Sequence, residues 1–296
     1  MELRQMRYFV GVAEELHFGK AAERLYISTP TLSQQIKQLE REVGTTLLIR
    51  HSRGVELTPA GQVFLARARE TIQAAGLALK DTRRAAGLDE PVLRLGLLNG
   101  IPGWLPAALE QLATERLPNS TVTLEAGTTT DQLRMLTAGE IDLGLVRTPL
   151  TLPPAITSEH LATEELGVLL TADHPLAENV ELGLDDLTDL ELIWIPRAAA
   201  PEFHDDTLRR LGTGVRLSDI TMSHSQLRSA LLVRRAAISL GSRRAATPDV
   251  VWRPLKGRPL TARYAAVWRP DSSNQVLRAM TVSPGLTVIR QQDLEN

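Results

Sequence analysis

The sequence predicts an α/β protein in three parts: an N-terminal winged helix-turn-helix, a long linker helix, and a larger region of two Rossmann-like lobes. Apolar residues recur at helical spacing through the first ninety residues, and the last of the helices that they predict is about 28 residues long. Beyond residue 91, short apolar runs alternate with helical stretches, which is the order of a parallel α/β layer. The predicted domains are therefore residues 1–58, 59–88 and 91–296.

Composition excludes several classes of protein. The 296-residue chain has 33 Lys and Arg against 35 Asp and Glu, a net charge of -2, so bulk charge does not hold it to nucleic acid. Residues 1–90 carry 13 basic against 11 acidic side chains (+2), and residues 91–296 carry 20 against 24 (-4). The lack of cysteine excludes disulfides, thiolate nucleophiles and thiol redox sensing. Since no apolar run approaches the roughly 18 residues of a membrane span and the start lacks a signal-peptide layout, we expect a cytoplasmic protein with no membrane partner.

The first three predicted helices form a helix-turn-helix. Thr29 is predicted to cap the third helix, with Pro30 in its first turn, where no backbone N–H is needed, and Gly44 at its end. The polar face of this helix carries few charges: Thr31, Ser33, Gln34, Gln35, Lys37, Gln38 and Arg41. Amides and hydroxyls are the groups that read base edges in a major groove. The alternative for any polar helix face is that it is simply solvated.

A β-hairpin is predicted after the third helix. Leu47–Ile49 and Val55–Leu57 flank a polar turn, with Arg50 and Arg53 placed to contact phosphates. A hairpin beside a recognition helix forms the wing of a winged helix-turn-helix.

The long helix is predicted to begin after Thr58 and Pro59, which repeat the cap-and-proline pattern, and to end at about Ala86. Its apolar stripe consists of Phe64, Ala68, Ile72, Ala75 and Leu79. Because packing stabilises most helices, this stripe needs a partner, and a second copy of the chain supplies one. We therefore expect a two-fold dimer that presents two recognition helices.

The same residues resemble the signature of LysR-type transcriptional regulators from residue 1 to about 65. The segments FGKAAERLYIS (18–28), PTLSQQI (30–36) and LTPAG (57–61) carry the resemblance. The family's usual Gln before the helix proline is Thr29 here, and its usual Arg after the motif serine is Gln34. These departures indicate an altered base preference or one fewer phosphate contact. The resemblance implies that these residues contact double-stranded promoter DNA: Thr29, Pro30, Thr31, Ser33, Gln34, Gln35, Lys37, Arg50 and Arg53.

Beyond residue 91 the chain is predicted to form two α/β lobes that enclose a cleft, the usual place for a small ligand. Strands of the first lobe are predicted at Val92–Leu98, Thr121–Glu125 and Ile141–Arg147, with helices from Trp104 to Leu117 and Thr130 to Thr137. Strands of the second are predicted at Glu165–Leu170, Leu192–Ile195, Arg216–Met222 and Ala236–Leu240, and Val267–Arg269 returns the chain to the first. Lobe I is placed at about 91–160 and 265–296, and lobe II at about 161–264.

Two such lobes resemble the effector-binding region of the LysR family, which is similar in turn to periplasmic solute-binding proteins. Asn99, Gly100 and Thr128 follow strands and are expected to face the cleft. By resemblance to members that sense aromatic-acid metabolites, Thr128 is expected to hydrogen-bond a carboxylate. Arg147 is a candidate partner for an anion, with a solvated strand-end arginine as the alternative.

Pro196 and Phe203 are candidates for the opposite wall of this cleft, with an ordinary loop role as the alternative. The family's glycine-rich stretch reads RRAAISLGS (234–242) here, with two arginines and fewer glycines. This departure indicates a more basic pocket wall.

No catalytic constellation is found in the sequence. The six histidines lack the spacing of metal ligands, and no phosphate loop, dinucleotide fingerprint or nucleophile elbow is present, so we expect neither an enzyme nor a cofactor. A solute carrier or enzyme with an N-terminal oligomerisation module is the alternative, but it would need an export signal or convergent acid–base residues. A chromatin-type binder would need a large basic excess. The resemblance implies a transcriptional regulator gated by a small molecule such as an organic acid, assembled as a homodimer or homotetramer, with RNA polymerase as a further candidate partner.

Overall fold

The computed structural model describes residues 1–51, 54–86, 91–212, 214–220, 226–282 and residue 286. The chain divides into two compact units, the first ending at Thr82 and the second beginning at Arg83. Within the described part of the chain, no helix has the length and apolar character needed to cross a membrane.

The N-terminal unit is a helix-turn-helix with a hairpin and one long helix, as the sequence predicts. Its elements are α1 (Leu3–Glu15), α2 (Phe18–Arg24), α3 (Thr29–Val43), β1 (Leu48–His51), β2 (Gly54–Leu57) and α4 (Pro59–Ala85). Strands β1 and β2 pair antiparallel from Leu48–Leu57 to His51–Gly54. The core that joins helices to hairpin consists mainly of Phe9, Val12, Leu32, Ile36, Leu39 and Leu47.

The prediction that Thr29 caps α3 is wrong. Ser28 is the cap: its backbone is extended, and its hydroxyl oxygen accepts a hydrogen bond from the Thr31 N–H at 3.2 Å. Thr29 is the first helical residue and Pro30 follows in the first turn, where its missing N–H leaves no hydrogen bond unmade. The predicted stop is confirmed, since Gly44 ends the helix at φ 79°.

Helix α4 begins as predicted, since the Thr58 hydroxyl accepts a hydrogen bond from the Gly61 N–H at 2.9 Å. Its apolar stripe, however, is divided. Phe64 packs edge-on against Phe9 of α1 with centroids 5.1 Å apart, so the first part of the stripe is covered by the chain itself. Leu79 is 67% exposed. Only the later part of the stripe therefore needs a second copy to cover it.

The C-terminal unit contains two five-stranded sheets, each flanked by helices. The first sheet has the order β4 (Thr121–Gly127), β3 (Val92–Leu98), β5 (Leu143–Thr148), β12 (Thr261–Trp268), β6 (Thr157–Glu165). The second has the order β11 (Val250–Arg253), β7 (Gly167–Thr171), β10 (Ile238–Gly241), β8 (Glu191–Ile193), β9 (Arg216–Leu217). The helices are α5 (Trp104–Arg116), α6 (Thr129–Thr137), α7 (Pro201–Leu211), α8 (Leu227–Val233) and α9 (Gln275–Thr281).

The predicted strand Glu165–Leu170 is split between the two sheets. Glu165 ends β6 in the first sheet and Gly167 begins β7 in the second, with the Leu166 N–H donating to Leu260 O between them. Strands β6 and β12 pair from Thr157–Trp268 to Glu165–Thr261, so both lie in the first sheet over their full lengths. Residues 161–164 and 261–264, assigned to lobe II from the sequence, thus belong to the sheet of lobe I.

The third strand predicted for lobe II, Arg216–Met222, is shorter in the structure. The described strand covers Arg216–Leu217, and residues 221 and 222 lie outside the described residues.

Parallel pairing places the ends of three strands of lobe I at one edge of its sheet. Strand β3 is parallel to β4 and to β5, so their C-terminal ends lie side by side. Helix α6 packs on one face of this sheet through Met135 and Leu136, and α5 packs on the other through Leu105 and Leu109. The residues that follow these strands are therefore positioned together, between two helical layers.

Candidate nucleic-acid interface and ligand cleft

The N-terminal half of α3 presents an exposed polar face. Thr29, Pro30, Thr31, Gln34 and Lys37 are exposed, whereas Ser33 and Gln35 are half-buried. The opposite face buries Leu32, Ile36 and Leu39 completely, which fixes the rotation of the helix. The structure therefore brings the predicted α3 residues together on one accessible surface.

Arg50 on the hairpin extends this surface. Its guanidinium lies 4.3 Å from the centroid of the Phe18 ring, and its Nη1 donates to Ser33 Oγ at 2.8 Å. The hairpin is thereby attached to the polar face of α3. Arg53, the second predicted phosphate contact, lies outside the described residues.

Arg147, at the end of β5, is a buried and positively charged side chain. Its side chain is 8% exposed, which rules out the alternative of a solvated strand-end arginine. Nη2 donates to the Asn99 carbonyl at 2.7 Å, and the guanidinium lies 5.7 Å from the Tyr264 ring and 5.9 Å from the Phe203 ring. Burial lowers the pKa of Arg147 from its ordinary value, with Tyr264 and Glu164 opposing this effect. Arginine nevertheless stays protonated in proteins.

No carboxylate of the described residues lies within ion-pair distance of this guanidinium. The acidic group that comes near, Glu164, is held by Arg244 instead: Nε and Nη2 of Arg244 donate to its two oxygens at 2.5 and 2.7 Å. The Tyr264 hydroxyl also donates to Glu164, at 3.0 Å. Arg147 is thus a buried cation whose neighbouring carboxylate already has its partners.

The Arg244–Glu164 pair also joins the lobes. Glu164 belongs to β6 of the first sheet, and Arg244 follows β10 of the second. The hydrogen bond to Glu164 raises the pKa of Arg244, and burial raises the pKa of Tyr264 to about 12. Sequence reasoning missed Glu164 and Tyr264, for which no pattern was available. It also missed Arg244, which lies two residues beyond the stretch RRAAISLGS (234–242).

Thr128 has a local role that the sequence did not reveal. Its hydroxyl donates to Asp131 Oδ2 at 2.7 Å and accepts from the Asp131 N–H at 3.1 Å, forming a capping box for α6. These hydrogen bonds lower the pKa of Asp131. With its proton already donated, the hydroxyl can donate to a carboxylate only if it leaves Asp131. The next residue is closer to Arg147, since the Arg147 N–H donates to Thr129 Oγ1 at 3.1 Å.

The remaining predicted cleft residues occupy the edges of this site. The Gly100 carbonyl oxygen lies 3.4 Å from the Tyr264 hydroxyl oxygen, whose single proton is donated to Glu164, and the Asn99 side chain is exposed. Phe203 of α7 is 2% exposed and lies 6.0 Å from the Trp194 ring, so it has a packing role in the wall rather than a loop position. Pro196 is half-buried before the turn whose Ala198 carbonyl accepts from Thr130 Oγ1 at 2.7 Å.

The described residues include no group of three His, Asp or Glu side chains arranged to hold a metal ion. Among the described residues, the site comprises the Arg147 cation, which has no ion pair, the rings of Phe203 and Tyr264, and the exposed amide of Asn99. Such a set can bind an anion with an apolar body.

Both units match descriptions of one family. Residues 3–62 match "Bacterial regulatory helix-turn-helix protein, lysR family", and residues 86–281 match "LysR substrate binding domain". The regulator AlsR of Bacillus subtilis (strain 168) is 31% identical over 287 residues, covering 94% of this chain and 93% of that protein. BenM of Acinetobacter baylyi is 37% identical over 205 residues, covering 69% of this chain and 67% of that protein.

Solved structures agree with these matches. CbnR, a LysR family transcriptional regulator, is 25% identical with a TM-score of 0.68, covering 100% of both chains. Full-length CbnR in complex with its target DNA is also 25% identical, with a TM-score of 0.67 over 99% of both chains.

Proposed function

Because the chain belongs to the LysR family, with a DNA-binding helix-turn-helix and an effector-binding domain, we propose that its effector is a small organic anion held by Arg147 between the two lobes. As a member of this family it is a transcriptional regulator and not an enzyme. Its DNA and effector are its partners. Since bacterial promoter DNA lies in the cytoplasm, we place the protein there.

The observation that carries the proposal is the burial of Arg147 without a carboxylate partner among the described residues. A buried charge loses its hydration, and the Asn99 carbonyl, the Tyr264 hydroxyl and two aromatic rings replace only part of that loss. An anionic ligand would supply the missing counter-charge through a two-point hydrogen bond. The Phe203 and Tyr264 rings flank the guanidinium and favour a ligand with a flat or apolar body.

Coupling to DNA requires that the ligand favour one arrangement of the lobes. Two hydrogen bonds near the site connect the lobes. The Thr130 hydroxyl of lobe I donates to the Ala198 carbonyl of lobe II, and the Thr151 N–H of lobe I donates to Glu202 of lobe II at 3.2 Å. A ligand that binds one setting better than another shifts the balance between them, typically by about 1–3 kcal/mol.

On the DNA side, we propose that Thr29, Pro30, Thr31, Ser33, Gln34, Gln35 and Lys37 enter the major groove while Arg50 and Arg53 contact the backbone. Exposed hydroxyls and amides on one helix face support this assignment. A homodimer, or a homotetramer made of two of them, would cover Leu79 on α4 and offer paired recognition helices. RNA polymerase remains a candidate partner of the DNA-bound form.

Calorimetric titration with a panel of aromatic and aliphatic carboxylic acids and their uncharged amides tests the effector. We expect at least one acid to bind, its amide not to bind, and Arg147→Met to weaken binding about tenfold or more. Arg278→Gln, at an exposed arginine of α9, is the matched control and should bind like the wild type. Equal affinity in Arg147→Met, or no binding of any acid, would overturn the proposal.

The DNA assignment is tested separately with a gel shift on the DNA upstream of the protein's own gene. We expect a salt-sensitive complex that a nonspecific competitor does not remove. Failure to form a specific complex, with or without the acids that bind in calorimetry, would count heavily against the DNA assignment.

A further inference from the structure

A second cavity lies on the other face of the sheet of lobe I. Successive residues of a strand point to opposite faces, and residues paired across antiparallel strands point to the same one. Arg147–Tyr264 and Thr148–Arg263 are consecutive residue pairs of the antiparallel strands β5 and β12. Thr148 and Arg263 therefore lie on the face opposite to the one that carries Arg147.

This cavity measures about 370 Å³, and residues of both lobes form its lining. Lobe I contributes Thr148, Ser158, Thr261 and Arg263, and α7 of lobe II contributes Asp206 and Arg210. Pockets for small ligands commonly begin at about 300 Å³, so the space is sufficient for one.

The charge of the lining is positive. Arg210 Nε donates to Asp206 Oδ2 at 2.8 Å, and the same carboxylate also binds Arg209. Asp206 is the one acidic side chain of the lining, and two arginines already share it. Within the part of the chain that the structure describes, the Arg263 guanidinium makes no hydrogen bond or ion pair.

Hydroxyls and an apolar wall complete the lining. Thr148, Ser158 and Thr261 direct hydroxyl-bearing side chains to the cavity, and none of these hydroxyls hydrogen-bonds to another described residue. Pro149, Leu150 and Leu152 form an apolar side. A bare inorganic ion would use the cations and hydroxyls but leave the apolar side without contact.

We propose that this cavity is a second ligand site, distinct from that of Arg147, for a small organic anion that carries a carboxylate or phosphate group. Arg263 and Arg210 bind the anionic oxygens, the hydroxyls donate to them, and the leucine side chains contact the organic part. Since the lining comes from both lobes, the occupant favours one setting of the lobes, as a ligand at Arg147 would. Linkage then requires each ligand to change the affinity of the other by the same factor.

Calorimetry on the full-length protein with succinate, phenyl phosphate and inorganic phosphate tests the site. We expect succinate or phenyl phosphate to bind more tightly than inorganic phosphate, and Arg263→Gln to weaken that binding about tenfold. Thr261→Phe places a ring at the rim and should block the organic probes without removing a charge. Arg263 and Thr261 are both exposed, so these variants are expected to fold like the wild type, which circular dichroism checks.

Two control variants separate this site from the cleft. Arg278→Gln removes an exposed arginine of the same lobe and should leave binding unchanged. Arg147→Met removes the cation of the cleft, so it shows whether the probes bind in the cleft or in this cavity. Loss of binding in Arg147→Met but not in Arg263→Gln would mean that the probes occupy the cleft, which overturns the proposal. If neither organic probe binds, or if inorganic phosphate binds more tightly than both, the proposal is overturned as well.

Discussion

Arg50 on the wing and Ser33 on the recognition helix α3 are joined by a hydrogen bond of 2.8 Å from Nη1 to Oγ. The guanidinium is also held over the Phe18 ring, 4.3 Å from its centroid. The sequence assigned Ser33 to the bases and Arg50 to the phosphates, as separate contacts. In the structure the two side chains form a hydrogen-bonded pair, because each limits the positions open to the other.

Substitutions of Ser33 and Arg50 should affect DNA binding in different ways. We expect Ser33→Ala and Arg50→Gln each to weaken binding to the operator about tenfold. Arg50→Gln should also reduce the slope of log affinity against log salt by about 1, because a phosphate contact is lost, whereas Ser33→Ala should leave the slope unchanged. Fluorescence anisotropy with a labelled operator at several salt concentrations measures both quantities.

The double variant tests whether the two residues act together. Since they contact each other, the combined loss should be smaller than the product of the single losses. Arg278→Gln in the C-terminal unit is the control. A full hundredfold loss in the double variant would show that the hydrogen bond does not couple them.

The ion pair between Arg94 and the buried Asp142 should matter for the stability of the C-terminal unit. Asp142 is buried and accepts from the backbone N–H, Nε and Nη2 of Arg94 at 2.8–3.0 Å. We expect Asp142→Asn to lower the free energy of unfolding by about 3 kcal/mol, because the half-buried Arg94 guanidinium loses a counter-charge that is itself fully buried. All four tryptophans lie in this unit, so their fluorescence in a urea titration follows its unfolding.

The exposed pair Arg134–Glu140 is the matched control for that measurement. Its side chains are 60% and 51% exposed, so Glu140→Gln should change the free energy of unfolding by less than about 1 kcal/mol. Equal effects of the two substitutions would contradict the dependence on burial.

Gly96 leaves space for a buried amide. A Cβ at this position would lie 1.6 Å from Gln132 Oε1, and neither amide atom of Gln132 has a hydrogen-bond partner among the described residues. We expect Gly96→Ala to lower the free energy of unfolding by about 1–3 kcal/mol through overpacking. Gln132→Ala in the same chain should restore part of this loss, as measured by urea unfolding.

Gly103→Ala is the control for Gly96→Ala, since a Cβ there would meet no atom within 4 Å. It should leave the unfolding midpoint nearly unchanged. A wild-type midpoint for Gly96→Ala would mean that the sheet accommodates the methyl group.

The raised pKa of Tyr264 predicts how the free energy of unfolding changes at alkaline pH. Burial raises its pKa to about 12, from about 10 in the unfolded chain. The folded state then keeps its proton when the unfolded state loses it, so this contribution is complete below about pH 10 and is lost between about pH 10 and 12. We expect the wild type to lose about 1 kcal/mol more than Tyr264→Phe between pH 9 and pH 11, by urea unfolding. Identical losses in both proteins would contradict the raised pKa.

The helices and the wing could be predicted because their signals are local. Pro30 and Gly44 mark the beginning and end of α3, and the polar turn after Arg50 marks the hairpin, within a few residues of the structure they produce. The error at the cap was local too: Ser28 and Thr29 are adjacent hydroxyl residues, and only the backbone angles decide which one has its oxygen near the Thr31 N–H.

The order of elements, the polar face of α3 and the positions at the strand ends follow from local sequence patterns, because periodicity and capping act over one or two turns of chain. The pairing of charges, in contrast, depends on how distant parts of the chain pack together. Arg244 and Glu164 are 80 residues apart, and their pairing leaves Arg147 buried without a carboxylate. Burial and ion pairing depend on which strands and lobes come into contact. Such contacts between distant residues have no signature within the local sequence.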